Sequence, residues 1–308
     1  MKKRCLVTII SILFSSFFAG ISAQSAEEYY NSGLDKNELK LCKATISEQT
    51  KILETNPNDT LAYLNRGAAK LKLNSAQLAM QDFNKAISIN PKYADAHYYL
   101  GNAKYSTADY LGAIESYSKV IEINAKYPLI FFNRGLAKSN IKDYKAAVVD
   151  YSKEIEINPK NEKAYFYRAF AKDNLADYKG AILDYCKIIK SNKQHIEAFY
   201  YCGIARLNTK DYQAAILDFN NVIELNPSDG DAYTHRAICK TKLKDHRGAV
   251  ADYSKAIELN PRDANTYISR GLAKRNLGQL QEACADFTQA IEMGDESAIA
   301  QKKLYCGE

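Results

Sequence analysis

Along most of this chain apolar residues recur three and four positions apart, the spacing that puts side chains on one face of an α-helix. Residues 60–93 show the pattern in its clearest form. Ala62, Tyr63 and Gly67, with Lys70, fall on a first helix, and Ala79, Phe83, Ala86 and Ile87 on a second. Between them residues 74–76 read as a polar turn. Asn90-Pro91 ends the second helix: Asn is expected to take the left-handed closing conformation, and Pro cannot continue a helix. The same arrangement recurs in eight consecutive blocks of 34 residues without insertion or deletion: 26–59, 60–93, 94–127, 128–161, 162–195, 196–229, 230–263 and 264–297. A fixed period of this length predicts a solenoid, because one such unit cannot bury its own apolar face and must stack on its neighbours.

Certain slots of the unit hardly vary. Position eight is Gly33, Gly67, Gly101, Gly135, Ala169, Gly203, Ala237 and Gly271. Gly inside a helix costs about 1 kcal/mol relative to Ala, so its recurrence implies a close approach, expected here from another backbone. Position twenty is Ala79, Ala113, Ala147, Ala181, Ala215, Ala249 and Ala283. Position twenty-four holds a ring: Phe83, Tyr117, Tyr151, Tyr185, Phe219, Tyr253 and Phe287. Small residues against large ones let two helices pack closely without voids. Five of the six prolines (Pro57, Pro91, Pro159, Pro227 and Pro261) share position thirty-two, and where Ala125 replaces it Pro128 follows three residues later, so the break is kept.

An aromatic, a small residue after it, then aromatic, Ala, aromatic, Ala and Pro at set offsets resembles the tetratricopeptide repeat, over the whole chain after its first residues. The resemblance implies an all-α fold, a right-handed superhelical solenoid of antiparallel helix pairs, with repeats over 24–297 and a capping helix over 298–308. The signature's first aromatic is Tyr, Phe or His here, never Trp, and the usual Leu before Gly is often Arg. Arg66, Arg134, Arg168, Arg236 and Arg270 at position seven accompany Asp82, Asp150, Asp184, Asp252 and Asp286 at position twenty-three, and Leu100 accompanies Ser116. That covariation predicts a partly buried ion pair between the two helices of a repeat, which fixes geometry more than it adds stability. Cys202 with Asp218 departs from the rule. Lys119 with Glu122, and Lys255 with Glu258, read as solvated pairs worth a few tenths of a kcal/mol each. The first repeat is the weakest match, with Thr45 and Gln49 in the places of Ala and an aromatic.

Residues 1–23 read as a secretory signal peptide: Lys2, Lys3 and Arg4, an apolar run over 5–20, and small Ala23 before Gln24. Export to the periplasm or the medium is expected, the alternative being an anchor left uncleaved. No later stretch is apolar enough to span a membrane. Without the signal the 42 basic residues fall to 39 against 36 acidic ones, and the net charge from +6 to +3. No basic stripe suited to nucleic acid remains. Six cysteines remain too: Cys42, Cys186, Cys202, Cys239, Cys284 and Cys306. Small buried thiols are the favoured reading, and Cys284 with Cys306 is the pair to test for a disulfide.

Catalysis finds little support. His97, His195, His235 and His246 lie at four different repeat positions without metal-ligand spacing, and there is no phosphate loop or nucleophile motif, so no metal or cofactor is expected. In the family resembled, first helices line a concave groove through positions two, five, six, nine and twelve. Of the sixteen residues at positions five and nine, fourteen are apolar or aromatic, which predicts a continuous greasy strip that marks a partner site. The candidate peptide-binding residues are Tyr30, Leu64, Asn65, Tyr98, Asn102, Phe132, Asn133, Phe166, Phe170 and Tyr200. No repeat has Lys at position five, so the cationic clamp with which chaperone co-factors of that family hold a C-terminal carboxylate is absent. The expected function is a non-catalytic scaffold for a peptide or protein segment. The alternative is a carbohydrate-binding or enzymatic subunit of an envelope complex.

Overall fold

The structure, a computed structural model, describes residues 36–307. The signal segment and residues 24–35 of the first repeat, Tyr30 among them, lie outside the described residues. Regular structure among the described residues is helical throughout, and none of these helices is long and apolar enough to cross a membrane. The chain divides into two compact units, Met1–Lys142 and Asp143–Glu308.

The first unit contains α1 (Lys36–Thr55), α2 (Thr60–Lys72), α3 (Ala76–Ile89), α4 (Ala94–Ser106), α5 (Tyr110–Ile123) and α6 (Ile130–Asn140). Leu64, Phe83, Ala86, Ala96 and Leu100 pack α2, α3 and α4 together, and Tyr117, Val120, Ile130 and Ala137 continue the core through α5 and α6. Helix α1 departs from the period. It runs without a break through residues 39–41, where the other repeats turn, because Leu39, Lys40 and Leu41 are good helix formers with no turn residue among them.

The second unit contains α7 (Tyr144–Ile157), α8 (Glu162–Asn174), α9 (Tyr178–Ser191), α10 (Ile196–Asn208), α11 (Tyr212–Leu225), α12 (Gly230–Lys242), α13 (His246–Leu259), α14 (Ala264–Asn276), α15 (Leu280–Glu292) and α16 (Ser297–Cys306). Ala169, Tyr185, Ile188, Ala198 and Cys202 form one stretch of its core, and Phe219, Val222, Ala232 and Cys239 the next. A disulfide joins Cys284 on α15 to Cys306 on α16, the pair singled out from the sequence, while Cys42, Cys202 and Cys239 are buried thiols.

The helix punctuation differs from expectation in one respect. Asn90 is extended (φ −128°, ψ 93°), not left-handed. The residue before a proline is excluded from helical backbone, and the Asn90 side chain instead accepts the N–H of Lys92 at 3.1 Å in an Asx turn. The left-handed residue sits inside each of the last seven repeats, at position fifteen: Asn74, Ala108, Lys142, Ala176, Lys210 and Lys244 have φ between 58° and 65°, and Gly278 has φ 80°. Asp at position sixteen then caps the second helix, as Asp177 does by accepting the Gly180 N–H at 3.0 Å.

The close approach expected at position eight comes mainly from a side chain. A Cβ on Gly67 would stand 2.5 Å from Phe83 Cε1, one on Gly203 2.8 Å from Phe219 Cζ, and one on Gly271 2.7 Å from Phe287 Cε1. The ring at position twenty-four of the same repeat fills the space first, and at Gly271 the backbone carbonyl of Ala283 on the second helix stands 3.2 Å away as well.

Four of the five predicted ion pairs are seen to form. Arg66 meets Asp82 at 2.7 Å, Arg168 meets Asp184 at 2.6 Å, Arg236 meets Asp252 at 2.6 Å and Arg270 meets Asp286 at 2.7 Å. Each buried carboxylate has a second partner that the pairing rule omits, the Lys at position eleven: Lys70, Lys172 and Lys240 at 2.7 Å and Lys274 at 2.8 Å. This explains the exception at Cys202. There position eleven is Arg206, and its guanidinium reaches Asp218 at 2.8 Å in place of the missing Arg at seven. Each Arg at seven also lies over the ring at position four of its own helix, as Arg168 does over Tyr165 at 5.5 Å.

Candidate functional site

The residues at position five are placed by the same packing that forms the repeat. Leu64 and Phe132 are only 7% and 8% exposed, so they belong to the core and do not line an accessible strip. Tyr98, Phe166 and Tyr200 are half-buried. Each leans on the position-twenty-four ring of its own repeat: Tyr98 on Tyr117 (6.3 Å between centroids), Phe166 on Tyr185 (5.8 Å) and Tyr200 on Phe219 (6.1 Å). The next repeat closes over them through position six, Tyr201 against Phe166 at 5.7 Å and His235 against Tyr200 at 5.7 Å. The continuous greasy strip is therefore corrected. Row five is mainly packing, because a side chain there points at the repeat-to-repeat seam.

Row nine keeps partial exposure at Ala68, Asn102 and Leu136 in the first unit, and at Phe170, Ile204, Ile238 and Leu272 in the second. In the first unit this row opens into a cleft of about 290 Å3, lined by Leu71, Asn74, Asn102, Tyr105, Ser106, Tyr117, Asn133 and Leu136. Two of the candidate residues, Asn102 and Asn133, thus meet in one cleft, and neighbouring phenols set their orientations. Tyr117 donates its hydroxyl hydrogen to Asn102 Oδ1 at 2.8 Å, and Asn133 Nδ2 donates to Tyr98 Oη at 3.2 Å. Asn65 is half-buried on α2 and does not line this cleft. Leu71 and Tyr105 were not among the candidates. Both occupy position twelve, three residues beyond row nine on the same helix face, and that spacing is the signal that finds them.

In the second unit Phe170 stands 6.4 Å from Tyr144 and 6.5 Å from Tyr201, at the edge of a ring cluster with Phe166, Tyr185 and His195. Asp173, at position twelve, accepts the Tyr185 hydroxyl at 3.0 Å through Oδ2, while its Oδ1 is buried without a hydrogen-bond partner. Burial pushes its carboxyl up to about 7, opposed by that hydrogen bond and helped by the charge of Asp177. His235 is half-buried, its Nδ1 is buried without a hydrogen-bond partner, and desolvation pushes its imidazole down to about 4. Among the described residues no group of three or more His, Cys, Asp or Glu is placed to hold a metal ion.

Four family profiles match the chain. One described as a TPR repeat matches residues 72–108 and 101–140, and three described as tetratricopeptide repeats match 129–161, 230–263 and 253–285. No curated protein is a match. Among solved structures the chain is similar to the MamA protein, at 26% identity over 56% of this chain and 93% of that one, with a TM-score of 0.53. It is also similar to YrrB, titled a TPR protein with an unusual peptide-binding site, at 21% identity over 60% and 95%, TM-score 0.56. The C-terminal part of a TPR repeat-containing protein from Cytophaga hutchinsonii aligns over 77% of this chain and 98% of its own, at 19% identity and a TM-score of 0.68. The last two share the fold.

Proposed function

Because this chain belongs to the tetratricopeptide-repeat family, we propose that it is a non-catalytic interaction scaffold that binds an extended peptide segment on its first-helix face. The cleft between α2, α4 and α6 carries the reading. With its oxygen taken by Tyr117, Asn102 has N–H donors to offer, and with its amino group given to Tyr98, Asn133 has a carbonyl oxygen to offer. One donor and one acceptor in a single cleft match the C=O and N–H that every peptide unit presents. Leu71, Leu136 and Tyr105 beside them supply apolar contact for a side chain. The test is selection of a random peptide library on the folded chain, followed by affinity measurements. Asn102→Ala and Asn133→Ala each weaken the selected peptide by roughly tenfold, the worth of one net hydrogen bond, and Leu136→Asp removes binding with circular dichroism unchanged. Peptides that bind all three variants as they bind the parent would sink the proposal.

We further infer that the protein is exported. Support comes from the basic, apolar and small-residue order of residues 1–23, and from the Cys284–Cys306 disulfide, which suits an oxidising compartment. N-terminal sequencing of the protein from its native cells tests this. A chain starting at Gln24 supports export with cleavage, and one retaining Met1 in the cytosolic fraction contradicts it.

A further inference from the structure

The repeat carries one contact between neighbours that is polar almost everywhere. The residue at position twenty-five of one second helix hydrogen-bonds the Arg at position seven of the next repeat. Thr50 does so with Arg66 at 3.2 Å, Ser118 with Arg134 at 3.1 Å, Ser152 with Arg168 at 3.0 Å, Asn220 with Arg236 at 2.7 Å and Ser254 with Arg270 at 3.1 Å. At the seam between α9 and α10 both partners are cysteine: Cys186 at twenty-five and Cys202 at seven. Two of the protein's few thiols therefore face each other at a place the fold reserves for touching side chains. Both are free, Cys186 part-exposed and Cys202 buried beneath it.

The surroundings favour an ionised Cys186. The guanidinium of Arg206 approaches the Cys186 Sγ to 3.6 Å while its other amino group holds Asp218 at 2.8 Å. The hydrogen bond from Cys202, then the charge of Arg206, hold the Cys186 thiol well below the ordinary thiol range, against burial and the charge of Asp218. The same contact and burial push Cys202 well above it. An accessible thiolate beside a protonated, buried thiol is the arrangement of an attacking and a resolving cysteine.

We propose that Cys186 and Cys202 are an oxidisable dithiol that undergoes exchange with small-molecule disulfides. The Cys186 thiolate attacks one sulfur of R–S–S–R, forming a Cys186–S–S–R bond and releasing R–S⁻. Cys202, giving up its proton, attacks the Cys186 sulfur, forming the Cys186–Cys202 bond and releasing the second R–S⁻. The two thiol protons end on two molecules of R–SH, so the protein loses two electrons and the small disulfide gains them. The new bond would tie α9 to α10 beside Tyr200 and Tyr201, the most ring-rich part of the second unit.

The test treats the full chain with oxidised glutathione and maps peptides by mass spectrometry without reduction. The expected product is a peptide pair joined through Cys186 and Cys202. Cys202→Ser should stop at a stable glutathione adduct on Cys186, and Cys186→Ser should leave Cys202 unmodified. Iodoacetamide should label Cys186 at least roughly ten times faster than the buried Cys239, whose thiol burial pushes up to about 12. Circular dichroism establishes that each variant is folded. Folded parent protein without the joined pair, or Cys202→Ser modified at Cys239 as readily as at Cys186, would overturn the proposal.

Discussion

At the scale of single residues, most invariant positions answer to a neighbour only a few ångströms away. Gly67 is small because the Phe83 ring lies where its Cβ would be, and Asn90 is extended because Pro91 follows it. Two half-buried titratable side chains, each with one buried unpaired atom, stand apart, since no packing demand explains their charge. Asp173 has its folded value raised by burial from 3.8 to about 7, so the folded chain holds that proton more tightly than the unfolded one. Its stabilising contribution is complete below pH 3.8 and is lost as the pH rises through 7. His235 acts in the opposite sense: with its folded value lowered from 6.5 to about 4, stability is lost as the pH falls through that interval. Asp173→Asn should therefore raise Tm at pH 8, on the order of a few degrees, and leave it unchanged at pH 4. Thermal melts of both proteins at the two pH values check this, and an equal gain at both would remove burial of the charge as the cause.

At the scale of the helix pair, the recurrent Arg–Asp–Lys cluster invites a substitution that the chain itself has already made. Asp184→Ser leaves Arg168 and Lys172 facing an empty site, and because both cations are partly exposed the cost should be about 2–4 kcal/mol, below that of a fully buried orphan charge. Adding Arg168→Leu reproduces the Leu100–Ser116 pairing of the third repeat, where Lys104 turns to the Gly112 carbonyl at 3.3 Å. Lys172 already reaches the equivalent Gly180 carbonyl at 3.3 Å. The double variant should recover most of the loss, as measured by urea unfolding in a double-mutant cycle. The cluster also marks the reach of sequence reading. Arg168 and Asp184 are legible because they vary together with Leu100 and Ser116, whereas the role of Lys172 is hidden because Lys104 keeps position eleven even where that Arg and Asp are absent. The helices, their period and their small-to-large seams follow from spacing alone. The site was less legible, because Leu64 and Phe132 carry the same apolar signature whether they meet a ligand or the neighbouring repeat. Only the stacked geometry separates row five, turned into the seam, from rows nine and twelve.

At the scale of the molecule, a repeat array derives its stability from each unit and from the seam it shares with the next, so its ends have one seam fewer. In the second unit the final seam is closed by α16, whose Tyr305 packs near Phe287 at 6.5 Å and under Arg275 at 4.4 Å, with Cys306 bonded to Cys284. That bond closes a loop with a sequence separation of 22, for which chain entropy gives about 3 kcal/mol. Cys306→Ser should therefore lower hydrogen-exchange protection in α15 and α16 while leaving α8 to α11 as they were. Loss spread evenly over the second unit would contradict it. The same helix has a colloidal consequence. A solenoid with a bare end presents the surface on which its own next unit would sit, and a second molecule can occupy it head to tail, a contact that does not close and so grows into fibres. Fastened by a covalent bond, α16 covers that surface, so the disulfide keeps a second molecule from docking on the end of α15.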